Sequence, residues 1–420
     1  MFRSLRLRNF RIYFLGGLVA NTGTWIQRVA QDWLVLQLTD NSPIALGVTT
    51  AVQFTPMIVL GLFSGAIADR ISKRALLAMA TTFHLLVSTT LGVLVLTETV
   101  QVWHVVALAL LFGVGSSLEI PTRQAFISEL VGKEVLPNAV SLNSASFNVA
   151  RVVGPALGGL LIGLVFASTG PLFLVHAGSM LATVGSLALL RRDQLHSLVP
   201  IDQRTTRIRE VFSELRGRAD LQLVLVIVAV SGIFALNYQM LIALITTAEF
   251  GMDAAGFGAM SSLMAVGAIA GALSSARRAR ASLRLLVLAS TAFGALIMLN
   301  AWMPTVPLFG ASLVVLGYAS LTVLTTATSL MQLSARPALR GRVMGLFVVV
   351  MFAGIPLGGP AIGALAELLG IRAAVGLGGL TCAIVSVVGA AITLSRMGTS
   401  FRELRTYIVP RRRRQLPPMG

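Results

Sequence analysis

The sequence predicts an all-α integral membrane protein with twelve transmembrane helices in two six-helix halves. Of its 420 residues, 55% are hydrophobic and only 12% are charged, whereas soluble proteins carry about 25% charged residues. A helix that crosses the bilayer needs about 20 apolar residues, so twelve crossings with short connections account for this length. The basic residues gather in alternate connections, which is the distribution that orients multispanning proteins.

The hydrophobic runs between the charge clusters define the helices in order. The first follows Arg3, Arg6, Arg8 and Arg11, and because no small-residue cleavage site follows, we interpret it as a span and not as a secretory signal. With the basic connections inside, both termini of this multi-pass protein are expected to face the cytoplasm from a cytoplasmic (inner) membrane. The predicted spans are residues 12–38, 43–68, 75–97, 102–124, 140–166, 171–190, 222–247, 254–275, 284–302, 305–330, 343–368 and 373–395.

The chain divides into two bundles joined by a basic segment. We predict an N-terminal six-helix bundle at 1–190, a cytoplasmic linker at 191–220, a C-terminal six-helix bundle at 221–398 and a basic cytoplasmic tail at 399–420. The linker carries seven arginines and an amphipathic pattern, so we expect it to lie along anionic headgroups. The net charge of +17 is therefore a topology signal and not evidence for nucleic-acid binding.

The two halves resemble each other in sequence. The stretch from Gly154 to Gly159 recurs from Gly359 to Ala364, 205 residues later. The same offset brings the segment 65–70 within one residue of 271–276, another small-residue helix end followed by arginines. An internal duplication explains both matches and indicates a site between the halves near the midplane, with alternating access as the mechanism.

The inner end of the second span carries a signature. From Gly65 the chain reads Gly-Ala-Ile-Ala-Asp-Arg-Ile-Ser-Lys-Arg, which resembles the signature loop of the major facilitator superfamily, with Ser72 where the family usually has glycine. The resemblance implies that Asp69 latches the cytoplasmic side by facing the N-terminal end of the eleventh span. The expected cytoplasmic gate is Gly65, Asp69, Arg70, Lys73 and Arg74. Lys73 and Arg74 have an alternative role as topology anchors.

A second motif lies in the fifth span. Residues 150–159 resemble the antiporter signature of the superfamily, with Ser141 and Ala150 at positions where the fuller pattern has glycine. Glycines one turn apart permit close helix contact and the proline sets a kink, so the element is expected to seal the pathway. The resemblance favours export. Its motif residues are Gly154, Pro155, Gly158 and Gly159. Residues 128–139 and 340–345 also resemble the bacterial exporter branch of enterobactin-exporter-like and macrolide-efflux-like proteins.

Charges inside the spans are the main candidates for proton coupling, because an ionised group at the bilayer centre costs several kcal/mol unless it is paired or hydrated. Arg28 and Asp32 share one face of the first span. Glu119 is a second proton candidate, Arg123 is expected to extend to the interface, and Arg151 is expected to pair with Glu119. The second half offers a mostly apolar wall. Weaker candidates for the substrate cavity are Gln27, Gln31, Trp33, Asn237 and Gln239.

The sequence contains no sign of catalysis or of a cofactor. No phosphate-binding Gly-rich loop occurs, the single Cys382 excludes an intrachain disulfide, and the four histidines lack ligand spacing, so we expect them to be structural or at the surface. We therefore predict a monomeric secondary transporter that exports a small amphipathic compound, a drug or a siderophore-like metabolite, in exchange for protons. Three alternatives stay open: proton-coupled uptake, movement of lysophospholipid or other lipid between leaflets, and a non-transporting membrane sensor.

Overall fold

The computed structural model describes residues 3–132, 134–166, 168–196, 215–235, 237–277, 281–336 and 339–398. Within these ranges, the side chains at 61–70, 164, 192, 235, 276–277 and 340–341 are outside the description. The helices are α1 Arg8–Leu38, α2 Pro43–Arg70, α3 Lys73–Leu96, α4 Val102–Leu130, α5 Leu136–Leu160, α6 Gly170–Ala188, α7 Ala219–Ala235, α8 Tyr238–Leu244, α9 Ala254–Arg277, α10 Leu283–Ala301, α11 Val306–Ser334, α12 Arg340–Leu369 and α13 Ile371–Met397. The linker from 197 to 214 and the tail from 399 onward lie outside the described residues.

Eleven segments of the described chain are long and apolar enough to cross a membrane. The remaining long helix, α1, spans 31 residues but carries more polar side chains than the others, among them Arg28 and Asp32. The predicted spans therefore coincide with helices throughout the chain. One difference is the seventh span, which is broken into α7 and α8 and then continues as a π-turn at Ile245–Glu249.

Serine side chains and a glycine with a positive φ angle mark several helix ends. The side chain of Ser72 accepts a hydrogen bond from the backbone N–H of Ala75 at the start of α3, and Ser282 does the same for Leu285 in α10. Gly370 adopts φ 86° between α12 and α13, a backbone conformation that favours glycine, and this allows two spans to meet without a loop.

The packing of the first half repeats in the second. In the first half α1 packs against α5, α2 against α4 and α3 against α6. In the second half the corresponding spans make the same pairs, α7 with α12, α9 with α11 and α10 with α13. This repetition fits an internal duplication, and it leaves α2 with α12 and α5 with α9 as the main contacts between halves.

Among the described residues, close backbone contacts between the halves lie at the end where α2 begins and α5 ends. A Cβ added to Gly47 would lie 2.3 Å from the carbonyl oxygen of Gly359, and one added to Gly159 would lie 2.9 Å from the Cα of Gly258. Backbones can approach this closely only where side chains are absent. We call this closed contact of α2 with α12 and of α5 with α9 the outer seam.

Away from the outer seam, the facing surfaces of α5 and α9 are exposed. The stripe of α5 that reaches the seam continues through Ala145 to Ser141, and both are exposed. The matching stripe of α9 continues through Val266 and Leu273, which are 46% and 62% exposed. A cleft between the halves therefore opens at the end where the described chain begins and ends, and it closes at the outer seam.

Candidate functional site

A chain of buried amides runs along α1 beside the seam. The Gln27 side chain donates to the Gln31 Oε1 atom at 3.0 Å, and the Gln31 amide donates to Gln53 Oε1 on α2, also at 3.0 Å. All three residues are at most 5% exposed. Amides are costly to bury unless they are hydrogen-bonded, so this row of hydrogen bonds holds the polar face of α1 against α2.

Next to this amide chain lies the first predicted ion pair, Arg28 and Asp32. The Arg28 Nε atom is 3.9 Å from Asp32 Oδ2, and the two side chains are 16% and 2% exposed. The Arg28 guanidinium also lies over the Phe54 ring at 4.9 Å. Asp32 Oδ2 is buried without a hydrogen-bond partner, so the interaction with Arg28 is weak. The negative charge of this buried carboxylate is therefore poorly balanced by its neighbours.

Arg151 lies at the floor of the cleft. Its guanidinium is 5.8 Å from the Trp25 ring centre, and Trp25 in turn meets the ring of Phe147 edge-on at 5.9 Å. One residue further along α5, the carbonyl of Val152 accepts a hydrogen bond from Ser262 of α9, which begins the outer seam. We call Trp25, Phe147 and Arg151 the cleft floor.

The expected pairing of Arg151 with Glu119 is wrong. Glu119 makes an ion pair with Arg123 one turn away, and its other oxygen is 3.0 Å from His84 Nδ1. Arg123 also donates to Asn21 Oδ1 at 2.7 Å, so it points inward and does not extend to the interface as expected. Among the described residues, no carboxylate lies within salt-bridge distance of Arg151, because α4 and α5 present these side chains to different neighbours.

The second half contributes amides and hydroxyls. Asn237, at the break between α7 and α8, donates to the carbonyls of Ile233 and Gly354, while its own Oδ1 is buried without a partner. Gln239 donates to Ser261 at 2.8 Å. Trp33 is half-buried against the core that joins the two halves. These residues lie near the seam, but their present contacts are largely structural.

The small residues of α5 make close contacts on two sides. A Cβ on Gly154 would lie 2.4 Å from that of Trp25, and Gly158 faces Ile26, so these two glycines bring α5 against α1. On the other side, the carbonyl of Pro155 would lie 2.4 Å from a Cβ on Gly258 of α9. The motif thus packs α5 within its own half and also closes the outer seam.

The predicted cytoplasmic gate is described only in part. Gly65, Asp69 and Arg70 lie in the last turns of α2, outside the residues whose side chains are described. Lys73 makes an ion pair with Glu129 of α4 at 2.6 Å, and Arg74 donates to the carbonyl of Ala188 on α6. Both basic residues are thus bound within the first half, to α4 and α6.

The chain folds into two similar helical halves with a cleft between them, and comparison with known proteins identifies its family. Residues 1–409 match the family described as transmembrane secretion effector. The chain belongs to this family of major facilitator superfamily transporters. It is a multi-pass membrane transporter and not an enzyme.

The relatives of this transporter are membrane carriers. It is 25% identical to the multidrug efflux pump Tap of Mycolicibacterium fortuitum over 376 residues, covering 86% of this chain and 90% of that relative. It is 31% identical to the staphyloferrin A transporter of Staphylococcus aureus over 160 residues, covering 38% of this chain and only 40% of that relative.

Two solved structures share the fold of this transporter. A bacterial homologue of the human lysosomal transporter Spinster, in an inward-facing and unoccupied conformation, has a TM-score of 0.68 at 13% identity and covers 95% of this chain and 98% of its own. The nucleoside transporter NupG has a TM-score of 0.69 at 15% identity, with 92% and 99% covered. These likenesses confirm the all-α fold of two six-helix halves.

One feature of this transporter was missed by sequence reasoning. His84 and His176 are not merely scattered histidines, since His84 touches Glu119 and both rings flank Phe112, at 4.3 and 5.8 Å between centres. The contacting residues are on different helices, so no local spacing reveals them. The only signal in the sequence was the placement of a histidine deep inside an apolar span.

Proposed function

We propose that this transporter exports small amphipathic compounds from the cytoplasm in exchange for protons by alternating access. With the termini in the cytoplasm, the cleft of this conformation faces inward and the outer seam closes the far side. A substrate would enter from the cytoplasm or the inner leaflet and reach the cleft floor.

The observation that supports proton coupling is that the charge of the buried Asp32 carboxylate is poorly balanced by its neighbours. One oxygen of this carboxylate is buried without a hydrogen-bond partner, and Arg28, its one ion-pair partner in the described part of the chain, is 3.9 Å away. A buried carboxylate in that position gains a proton readily, and it loses the proton when a rearrangement brings water or the guanidinium closer. Asp32 is therefore the proposed proton carrier, with Arg28 controlling its release.

The cleft floor supports the class of substrate. Trp25 and Phe147 supply aromatic surface, and Arg151 adds a guanidinium with no carboxylate within reach among the described residues. Aromatic rings with a few polar groups are typical of sites for amphipathic ligands. An uncompensated cation favours an anionic group on the ligand, which suits an acidic siderophore-like metabolite or an acidic drug better than a cationic one.

The test uses everted membrane vesicles that are energised by respiration and carry a pH-sensitive dye. Addition of a transported anionic amphipathic compound is expected to release protons from the vesicles carrying the wild-type protein, and Asp32→Asn is expected to abolish this release. Glu98→Gln, a change at an exposed carboxylate in the loop between α3 and α4, is the matched control and should behave as wild type.

The same vesicles separate the alternatives. Substrate-dependent proton release that is unchanged in Asp32→Asn would exclude Asp32 as the carrier. An inserted protein that responds to no compound but transfers labelled lysophospholipid between leaflets would replace the export proposal with lipid translocation.

A further inference from the structure

A buried ionic cluster lies inside the first half, away from the cleft floor. It contains His84 on α3 and Glu119 and Arg123 on α4, with Asn21 of α1 bound to the arginine. His84 is eleven residues from the inner start of α3 and Glu119 is eleven residues from the inner end of α4, which is a depth of about 17 Å. Since the hydrocarbon core is about 30 Å thick, the cluster lies near the middle of the membrane.

Both nitrogens of the His84 ring face oxygen acceptors. Nδ1 is 3.0 Å from the Glu119 carboxylate, and Nε2 is 3.1 Å from the carbonyl of Phe112 and 3.3 Å from the Ser116 hydroxyl. A neutral imidazole carries one N–H, so it can donate to the carboxylate or to the carbonyl but not to both. A protonated ring donates to both at once. The surroundings of His84 are thus arranged for a ring that gains a proton.

The carboxylate of this cluster, Glu119, forms an ion pair with Arg123. Arg123 holds one oxygen of Glu119 and is itself held by Asn21, which in turn is within 3.4 Å of Ser146 on α5. A guanidinium stays charged at all physiological pH and keeps its partner ionised. An imidazole, by contrast, is the side chain that ordinarily changes charge near neutral pH. In this conformation the exchangeable proton therefore belongs on His84, with Glu119 as its counter-charge.

A small cavity gives the cluster a place for water. Its volume is about 10 Å³, close to what one water molecule requires. The Thr81 hydroxyl, one turn before His84 on α3, lines this cavity and is buried without a hydrogen-bond partner. A water there would bridge Thr81 to the ion pair and extend a proton path toward the inner end.

Tyr13 and His176 are the other titratable side chains near the cluster among the described residues. Tyr13 of α1 lies beside Glu119 and Arg123 at the cavity. His176 of α6 lies on the far side of Phe112, where its ring contacts the hydroxyls of Ser88 at 2.6 Å and Thr24 at 3.5 Å. Among the described residues, no carboxylate lies within salt-bridge distance of His176. It is buried in the same bundle as His84 but lacks its counter-charge, so it offers a matched control.

We propose that His84 is a second proton-binding site of this transporter. The counter-charge for its proton is Glu119, which Arg123 keeps ionised. This inference rests on proton-coupled export and deepens it, since it places a proton site inside the first half in addition to Asp32. His84 takes up a proton from the open side and donates hydrogen bonds to Glu119 and Phe112. It returns the proton when a rearrangement of α4 against α1 and α5 separates the carboxylate from the ring.

The first test reads the proton on His84 directly. The chain contains four histidines, so ¹⁵N-histidine NMR of the purified full-length protein gives few resonances, and His84→Gln assigns one of them. We expect the spectrum to show a protonated His84 ring when the pH of the sample is lowered, and we expect Glu119→Gln to weaken this protonation because the counter-charge is lost. A His84 ring that stays neutral at every pH at which the protein remains folded would overturn the proposal, whether or not transport is proton-coupled.

The second test reads coupling in the everted vesicles. Glutamine keeps a hydrogen bond to Glu119 but cannot carry a proton, so His84→Gln is expected to lower proton-driven accumulation at least tenfold while substrate exchange at equal pH stays near the wild-type rate. His176→Gln should keep both activities. A His84→Gln variant with full proton-driven accumulation would overturn this inference and leave export by Asp32 intact. Absence of proton coupling in the wild type would instead remove the proposed function.

Discussion

At the scale of single residues, the structure leaves the Arg151 guanidinium without a carboxylate partner among the described residues. The sequence placed a buried arginine in the fifth span and required a partner for it. In the structure the expected partner, Glu119, instead contacts Arg123 and His84. Arg151 is left with the aromatic face of Trp25, a contact worth about 0.5–2 kcal/mol. Its remaining hydrogen-bond donors are therefore available to a ligand.

We predict that Arg151→Gln selectively weakens transport of anionic compounds. Loss of one charge-assisted hydrogen bond, worth about 1.5–3 kcal/mol, should lower the apparent affinity for an anionic amphipathic substrate roughly tenfold or more. An uncharged analogue should be much less affected. The measurement is a comparison of uptake by everted vesicles for the two compounds, with Arg151→Lys expected to retain most activity and the exposed Arg11→Gln as control. Equal loss for both compounds would indicate a structural role.

At the scale of helices, the outer seam depends on glycine at the contact of α5 and α9. A Cβ on Gly258 would lie 2.4 Å from the carbonyl oxygen of Pro155 and 2.9 Å from the Cα of Gly159. Both neighbours are backbone atoms, which cannot move aside as a flexible side chain would. Any larger residue there must part the two helices at this end, and rocking of the halves would then close the cleft at the other end.

We predict that Gly258→Ala shifts the equilibrium away from the conformation with the open cleft. Overpacking of about 1–3 kcal/mol corresponds to a roughly 5- to 150-fold change in population. Spin labels at Ser141→Cys and Leu273→Cys, introduced with Cys382→Ser, span the mouth of the cleft, and electron–electron distance measurements should show a shorter separation. Gly178→Ala is the matched control, because a Cβ at that position meets nothing within 4 Å. An unchanged distance in Gly258→Ala would contradict this role of the seam.

At the scale of the whole molecule, the arrangement of the halves sets which side of the membrane reaches the cleft. Contacts between the halves gather at the outer seam, while the α5 and α9 stripes that run toward the termini are exposed. In the proposed mechanism each chain supplies both walls of its own pathway, so we expect one copy to suffice for alternating access. The orientation of the termini then determines whether this conformation faces the cytoplasm.

We predict that the open cleft is reached from the cytoplasmic side. A membrane-impermeant thiol reagent should label Ser141→Cys, in a Cys382→Ser background, in everted vesicles and label it at least tenfold more slowly in intact cells. Thr99→Cys, in the exposed loop between α3 and α4, should show the reverse pattern. Faster labelling of Ser141→Cys from outside the cell would place the termini on the opposite side and exclude cytoplasmic entry.

The sequence by itself determined the helices and the family, whereas the tertiary structure decided the partners of the buried charges. Span positions follow from hydrophobic length and charge placement, which are local properties, and the signature around Gly154 is readable as a string. Periodicity also showed that Glu119 and Arg123 share a face of α4. It did not reveal that His84 completes their cluster or that Arg151 points to Trp25. Those neighbours lie on different helices, and only the packing of one helix against another sets which faces meet.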